Sequence, residues 1–204
     1  ASWSSIDYFG RWKALQYYAR RFYSDLLISP TMQKEDLKLY VVSDRPKAVP
    51  AQIKVTLMNF DGSTLKSIVR DVNVEPLTSR SYVDLKVPEL LNGADEKNVV
   101  VYCELLVNGK VVSSHDYFFK PFKDLKLSKP TITSAVTRTR DGFSVKVSTD
   151  KFAKDVYLAV PDHDGHFSDN FFNLGPGRDM TVTFDSRAPL SLEQIKQRLQ
   201  VRSV

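Results

Sequence analysis

The chain has a single cysteine, Cys103, in 204 residues, so no disulfide can form within it and the fold must rest on its apolar cores. Set in the apolar run VVVYCELLV, that cysteine reads as a small buried hydrophobe, because nothing beside it in sequence would lower a thiol pKa. Long hydrophobic runs are missing too. The longest, such as Val99–Tyr102, are strand-sized and far from the roughly 18 residues of a membrane-spanning helix. No signal peptide is visible, and no Asn-x-Ser/Thr sequon occurs. The lack of sequons and of disulfides points toward a bacterial source rather than a eukaryotic secretory one. Charge of one sign is only modestly in excess, at a net +5 and a pI near 9.2. Apart from Arg11, Lys13, Arg20 and Arg21 the basic residues are dispersed, without the stripe or tail of a dedicated nucleic-acid binder. At 42% hydrophobic and 26% charged the composition is that of a folded globular protein, with length for one large domain or two small ones.

What is present first is a helical pattern. Apolar residues fall at Trp12, Leu15, Ala19, Phe22, Tyr23 and Leu26, spacings that mark one helix face, with Lys13, Gln16, Arg20 and Ser24 opposite. Asp7 or Gly10 begins this predicted helix. Ser29-Pro30 ends it, since a residue before proline is pushed out of the α region. Burying such a face is worth roughly 1.5–3 kcal/mol per large side chain. Something must cover it, and the expected cover is the following sandwich, a second copy, or in part solvent.

After Pro30 the period changes to two. LKLYVVSD (37–44), AQIKVTLMNF (51–60), TLKSIVRDVNV (64–74), SRSYVDLKV (79–87), KNVVVYCELLV (97–107) and KVVSSHDYFFK (110–120) read as strands. Asp61-Gly62 and Asn108-Gly109 are hairpin turns between them. The lysine-rich KPFKDLKLSKP (120–130), with two prolines, reads as a linker. A second set of strands follows: TITSAVTRT (131–139), GFSVKVST (142–149), DVYLAV (155–160), HFSDNFFNL (166–174), DMTVTFD (179–185) and LQVRSV (199–204). LSLEQIKQRL (190–199) suits one or two helical turns. The two β segments share spacing but no sequence repeat. The predicted fold class is mainly β: two tandem immunoglobulin-like antiparallel β-sandwiches, at 30–124 and 125–204, preceded by one N-terminal amphipathic α-helix within 1–29.

Reactive constellations are scarce. A glycosidase needs two carboxylates, roughly 5–5.5 Å apart for retention or 6.5–9.5 Å for inversion. Glu35, Glu75, Glu89, Glu96, Glu104 and Glu193 are placed by no motif at neighbouring strand ends, and they read as solvated surface charges. His163 and His166 flank Asp164-Gly165 in PDHDGHFSD, which reads as a surface hairpin turn rather than a metal site. His115 reads as a sheet residue rather than a base. No phosphate-binding glycine loop, nucleophile elbow or Ser/His/Asp arrangement occurs. Sequence chemistry thus assigns no catalytic residue, no metal and no cofactor. Tyr40, Tyr82, Tyr102, Tyr117, Phe118 and Phe119 are candidates for a sugar-stacking platform, against the commoner role of strand aromatics in a core.

Two stretches carry a family likeness. SWSSIDYFGRWKALQYYARRFY (2–23) resembles the segment that leads into and forms the last helix of the catalytic (β/α)8 barrel in β-mannosidases of glycoside hydrolase family 2, through Ser2, Trp3, Ser4, Ser5, Ile6, Asp7, Tyr8, Gly10, Arg11, Trp12, Lys13, Ala14 and Leu15. GHFSDNFFNLGPG (165–177) resembles the hairpin and glycine-proline turn of the terminal Ig-like domain in the same enzymes. The resemblance implies the C-terminal region of such an enzyme: a remnant of the barrel followed by two sandwiches. The family's catalytic glutamates lie on earlier barrel strands, one directly after an asparagine, and no Asn-Glu pair occurs here. The resemblance therefore implies a fragment inactive by itself, belonging to an enzyme that hydrolyses terminal β-mannosyl residues with retention. It places Trp3, Asp7 and Tyr8 near the C-terminal rim of the barrel as candidate substrate-binding residues. The implied partners are the barrel of the same polypeptide, a second copy in a homodimer, and β-mannoside glycans for the whole enzyme. No nucleic acid or membrane span is implied, and the implied location is the periplasm or outside a bacterium. The alternatives are a carbohydrate-binding module for mannan-type glycans and a stand-alone cell-surface Ig-like protein.

Overall fold

The computed structural model describes residues 3–204; Ala1 and Ser2, the latter one of the residues carrying the resemblance, lie outside the described residues. The chain divides into two compact units. One is Arg21–Leu127, and the other joins the chain before Arg21 to Ser128–Val204.

The Arg21–Leu127 unit is a seven-stranded antiparallel sandwich. Its strands are β1 (Leu26–Gln33), β2 (Asp36–Ser43), β3 (Val49–Asn59), β4 (Thr64–Val74), β5 (Thr78–Lys86), β6 (Val99–Val107) and β7 (Lys110–Tyr117). One sheet has the order β1-β2-β5 and the other β4-β3-β6-β7. The period-two pattern sends Leu37, Leu39 and Val41 of β2 inward to meet Ile53, Val55 and Leu57 of β3 and Val101, Cys103 and Leu105 of β6. Asn108-Gly109 makes the predicted tight turn. Both residues take positive φ (51° and 74°), and Val107 pairs with Lys110 across it, the geometry of a two-residue hairpin. A short helix not foreseen in the sequence, α2 (Val87–Leu91), follows β5 and buries Val87, Leu90 and Leu91.

The second sandwich also has seven strands: β8 (Ile132–Arg138), β9 (Phe143–Thr149), β10 (Ala153–Ala159), β11 (Gly165–Phe167), β12 (Phe172–Leu174), β13 (Met180–Ser186) and β14 (Gln200–Arg202). They form the sheets β11-β13-β9-β8 and β12-β10-β14. Phe143, Val145, Val182 and Phe184 from one sheet pack with Val156, Leu158 and Phe172 from the other, together with Ile195 of α3 (Leu192–Arg198). Ser191 caps α3: its hydroxyl accepts from the Gln194 N–H while the Gln194 side chain accepts from the Ser191 N–H. Close approach explains Gly165, where a Cβ would overlap the Phe184 ring and lie 2.7 Å from the Asp185 carbonyl oxygen. Gly165→Ala is expected to cost this sandwich about 1–3 kcal/mol by overpacking. Denaturant unfolding measures it, and an unchanged midpoint would mean that the Phe184 ring yields freely.

Three expectations need correction. The N-terminal helix, α1, is shorter than read, Ala14–Phe22, and does not reach Ser29-Pro30. Those residues lie in β1, where Pro30 pairs with Leu39; β1 is an edge strand, and an edge tolerates a missing N–H. HFSDNFFNL is two short strands in different sheets, not one strand. Asp164-Gly165 is not a hairpin turn either, since it links β10 of one sheet to β11 of the other.

Candidate functional site

The residues before α1 fold into a hairpin-like loop. Ile6 and Trp12 form an isolated antiparallel bridge, and the Lys13 N–H donates to the Ser5 carbonyl at 2.9 Å. Asp7 closes the tip. Its Oδ1 accepts from the N–H groups of Phe9 and Arg11, each at 2.9 Å, and its Oδ2 from Arg11 Nε at 2.7 Å. These donors, the Arg11 N–H foremost, hold the Asp7 carboxyl below the usual carboxylate range. Trp3 and Tyr8 are fully exposed, at 101% and 96%, and Tyr8 meets Phe9 edge-on at 5.3 Å. The three candidate substrate-binding residues thus share one loop. Both Asp7 oxygens are occupied in holding that loop, and Trp3 and Tyr8 are the side chains it presents.

This segment is fastened to the second sandwich by the stretch that carried the second likeness. Tyr17, 5% exposed, lies parallel to His166 of β11 with ring centroids 6.1 Å apart, and 5.9 Å from Phe171. Trp12 meets His166 at 4.3 Å. The buried Tyr17 hydroxyl bonds the Asn170 side chain and the Phe167 backbone, and burial raises its pKa. Arg20 donates to the Ser168 carbonyl at 2.6 Å, Tyr18 to Asp155 at 2.9 Å, and Arg187 to the carbonyls of Phe9 and Gly10 at 3.0 and 3.4 Å. Asn170 organises the receiving side. Its side chain accepts from the Leu158 N–H and donates to the Leu158 carbonyl, both at 2.8 Å, replacing a strand partner where the chain changes sheets. Phe171, at φ 53°, turns its ring between Tyr17 and Tyr157.

The opposite side of α1 is uncovered. Leu15 and Phe22 are 52% and 46% exposed, with Tyr18 and Tyr23 exposed as well. Of the face read over Trp12, Leu15, Ala19, Phe22 and Tyr23, expected to be covered or to remain partly exposed, Leu15, Phe22 and Tyr23 are exposed and Trp12 and Ala19 are half-buried. Trp12 precedes the helix and sits in a bridged strand, so a period counted from it is out of phase with the helix proper. The packed residue is Tyr17, and the contact is with the second sandwich.

The other candidates do not converge. Among the described residues no group of three His, Cys, Asp or Glu side chains is placed to hold a metal. Cys103 is fully buried and its thiol pKa is pushed far up by burial, so His115, its neighbour across the β6–β7 ladder, faces no activated nucleophile. Tyr102 is buried; Tyr82, Tyr117 and Phe119 pack against the first core. Phe118 lies between Phe60 and Phe122, and the Tyr40 hydroxyl accepts from Gln33. Sequence reasoning missed Tyr17, Asn170 and Arg187. The signal for Tyr17 and Asn170 was the pair of likenesses, whose two stretches dock on each other, whereas Arg187 lies in neither stretch.

Residues 35–124 match the family described as Mannosidase Ig/CBM-like domain, and residues 127–204 match an Ig-fold domain family of mannosidases. The two sandwiches are domains of these mannosidase Ig-type families. The β-mannosidase of Capra hircus is 32% identical over all of this chain, which covers 24% of that protein. β-Mannosidase A of Aspergillus oryzae is 27% identical over 90% of the chain and 22% of its own length. The chain thus spans about a quarter of the length of these relatives. In fold, these mannosidase Ig domains resemble the crystal structure of the β-D-mannosidase of Dictyoglomus thermophilum, with TM-score 0.84 and 22% identity over 99% of this chain and 24% of that one. They also resemble the exo-chitosanase of Amycolatopsis orientalis, with TM-score 0.64 and 17% identity over 99% of this chain and 29% of that one.

Proposed function

We propose that this chain is the non-catalytic C-terminal accessory region of a retaining β-mannosidase-type glycoside hydrolase, and that it braces the catalytic barrel of the same polypeptide. On this reading a barrel-derived segment is followed by two sandwiches meeting near residues 124–127. One observation supports it above all. The second sandwich grips α1 through Tyr17 and Tyr18 and leaves Leu15 and Phe22 exposed, an apolar pair unusual for a free helix. A barrel docked there would cover it. Trp3 and Tyr8, held out by the Asp7 loop, are then the residues of this chain that reach toward the barrel, with Asp7 as their positioning residue. A mannan-binding module is less well supported, because the strand aromatics that it requires are engaged in packing or hydrogen bonds.

The test has two arms. The isolated chain should not turn over an aryl β-mannoside, and turnover at enzyme-like rates would overturn the reading. In the full-length protein, Leu15→Asp with Phe22→Asp should destabilise the barrel by about 1.5–3 kcal/mol per lost apolar contact, with activity falling on mild heating. Full-length activity and melting unchanged by both substitutions would remove the bracing role.

A further inference from the structure

The clasp on residues 3–20 contains a group that changes charge near neutral pH. The His166 imidazole forms a three-ring cluster with Trp12, at 4.3 Å, and Tyr17, at 6.1 Å, which meet each other at 5.2 Å. Arg20 of α1 and Arg187 beyond β13 act on it, and Asp185 stands directly across the β11–β13 ladder. Both guanidiniums are fixed by the joint itself, Arg20 on the Ser168 carbonyl and Arg187 on the carbonyls of Phe9 and Gly10. Asp164 lies two residues before His166, and its carbonyl accepts from the Arg187 N–H at 3.0 Å, while Asp169 and the Lys154–Asp155 pair act at Tyr17 and Tyr18. A proton on His166 would add a third cation beside two immobile ones, in a ring partly withdrawn from water. Asp185 and the faces of the neighbouring rings compensate it in part.

We propose that this clasp is acid-labile: protonation of His166 weakens the hold of the second sandwich on residues 3–20, so the grip on the segment is regulated by pH. The proposal rests on the bracing role above and names its regulation. The electrostatic balance agrees with the geometry. Partial burial first, then Arg20, hold the imidazole below its ordinary value of 6.5; Arg187 adds to this and Asp185 opposes it. A group whose pKa is lowered by folding contributes stability that is complete above its unfolded value, here 6.5, and is lost as the pH falls through the lowered native value. Acid therefore loosens the clasp, and neutral pH fastens it.

Trp3→Phe leaves Trp12 as the sole tryptophan, so its emission reports the clasp. Between about pH 8 and pH 5, the span where imidazoles titrate, this variant should show a red shift with its midpoint below the ordinary imidazole value. Protease cutting within residues 3–20 should rise several-fold over the same range. Adding His166→Gln or His166→Phe should abolish both changes; the second keeps an aromatic ring in the stack if the first loosens it. Quenching without red shift or cutting would mean that the ring titrates in a joint that stays closed, and would overturn the proposal. The same transition in both histidine variants would overturn it too. Emission of a water-exposed indole at every pH is a separate failure, because it removes the clasp and the bracing role together.

Discussion

Tyr17→Ala is expected to release residues 3–20 from the second sandwich while the sandwich itself stays folded. Tyr17 is the buried residue of α1, and its ring fills the space between His166 and Phe171. Truncating a buried aromatic to alanine costs about 3–5 kcal/mol. The docking of a nine-residue helix has few other apolar contacts to absorb that loss, since Leu15 and Phe22 face away. A loss of about 3 kcal/mol is two decades in the docking equilibrium. Hydrogen exchange should then show the α1 amides unprotected while those of β9 and β13 keep their protection. Tyr17→Phe separates the hydroxyl from the ring and should cost about 1 kcal/mol, the net worth of its hydrogen bonds. Protection of α1 unchanged in Tyr17→Ala would show that the arginine–carbonyl bonds alone hold the segment.

Asn170→Ala should strike the sandwich itself. The side-chain amide is buried and satisfies both backbone groups of Leu158 on β10. Alanine would leave a buried N–H and a buried carbonyl without their partner, at about 1–3 kcal/mol each. The expected loss is about 3 kcal/mol, which for a domain of this size lowers Tm by on the order of 15 °C. Because the same amide bonds the Tyr17 hydroxyl, Asn170→Ala and Tyr17→Phe should be non-additive in a double-mutant cycle. Strict additivity would show that the two stretches are stabilised independently. A loss below about 1 kcal/mol would mean that water replaces the amide at Leu158.

Fold similarity to an exo-chitosanase as well as to a β-mannosidase shows why the sandwiches themselves do not name a substrate.

Periodicity read from the sequence was sufficient for β2 and β3. The alternation in LKLYVVSD and AQIKVTLMNF matches β2 and β3, because each buries one face against a common core and the pleat repeats every two residues. Asn-Gly fixed the β6–β7 turn, since a tight hairpin needs two positive φ values and these residues accept them. The sequence did not determine where α1 ends or which way it faces. Pro30 looks like a helix stop until the sheet places it at an edge, where a missing N–H is tolerated. Trp12 looks like part of the helix until its bridge to Ile6 takes it out of the helical phase. The break inside HFSDNFFNL was invisible for the same kind of reason. Where the chain changes sheets, the Asn170 side chain bonds both backbone groups of Leu158, a contact 12 residues away in sequence. Period reports burial averaged along a segment, whereas the choice of the covering surface depends on contacts between residues as distant as Tyr17 and His166. Only the tertiary structure brings those two together, and it is their contact that ties the N-terminal segment to the second sandwich.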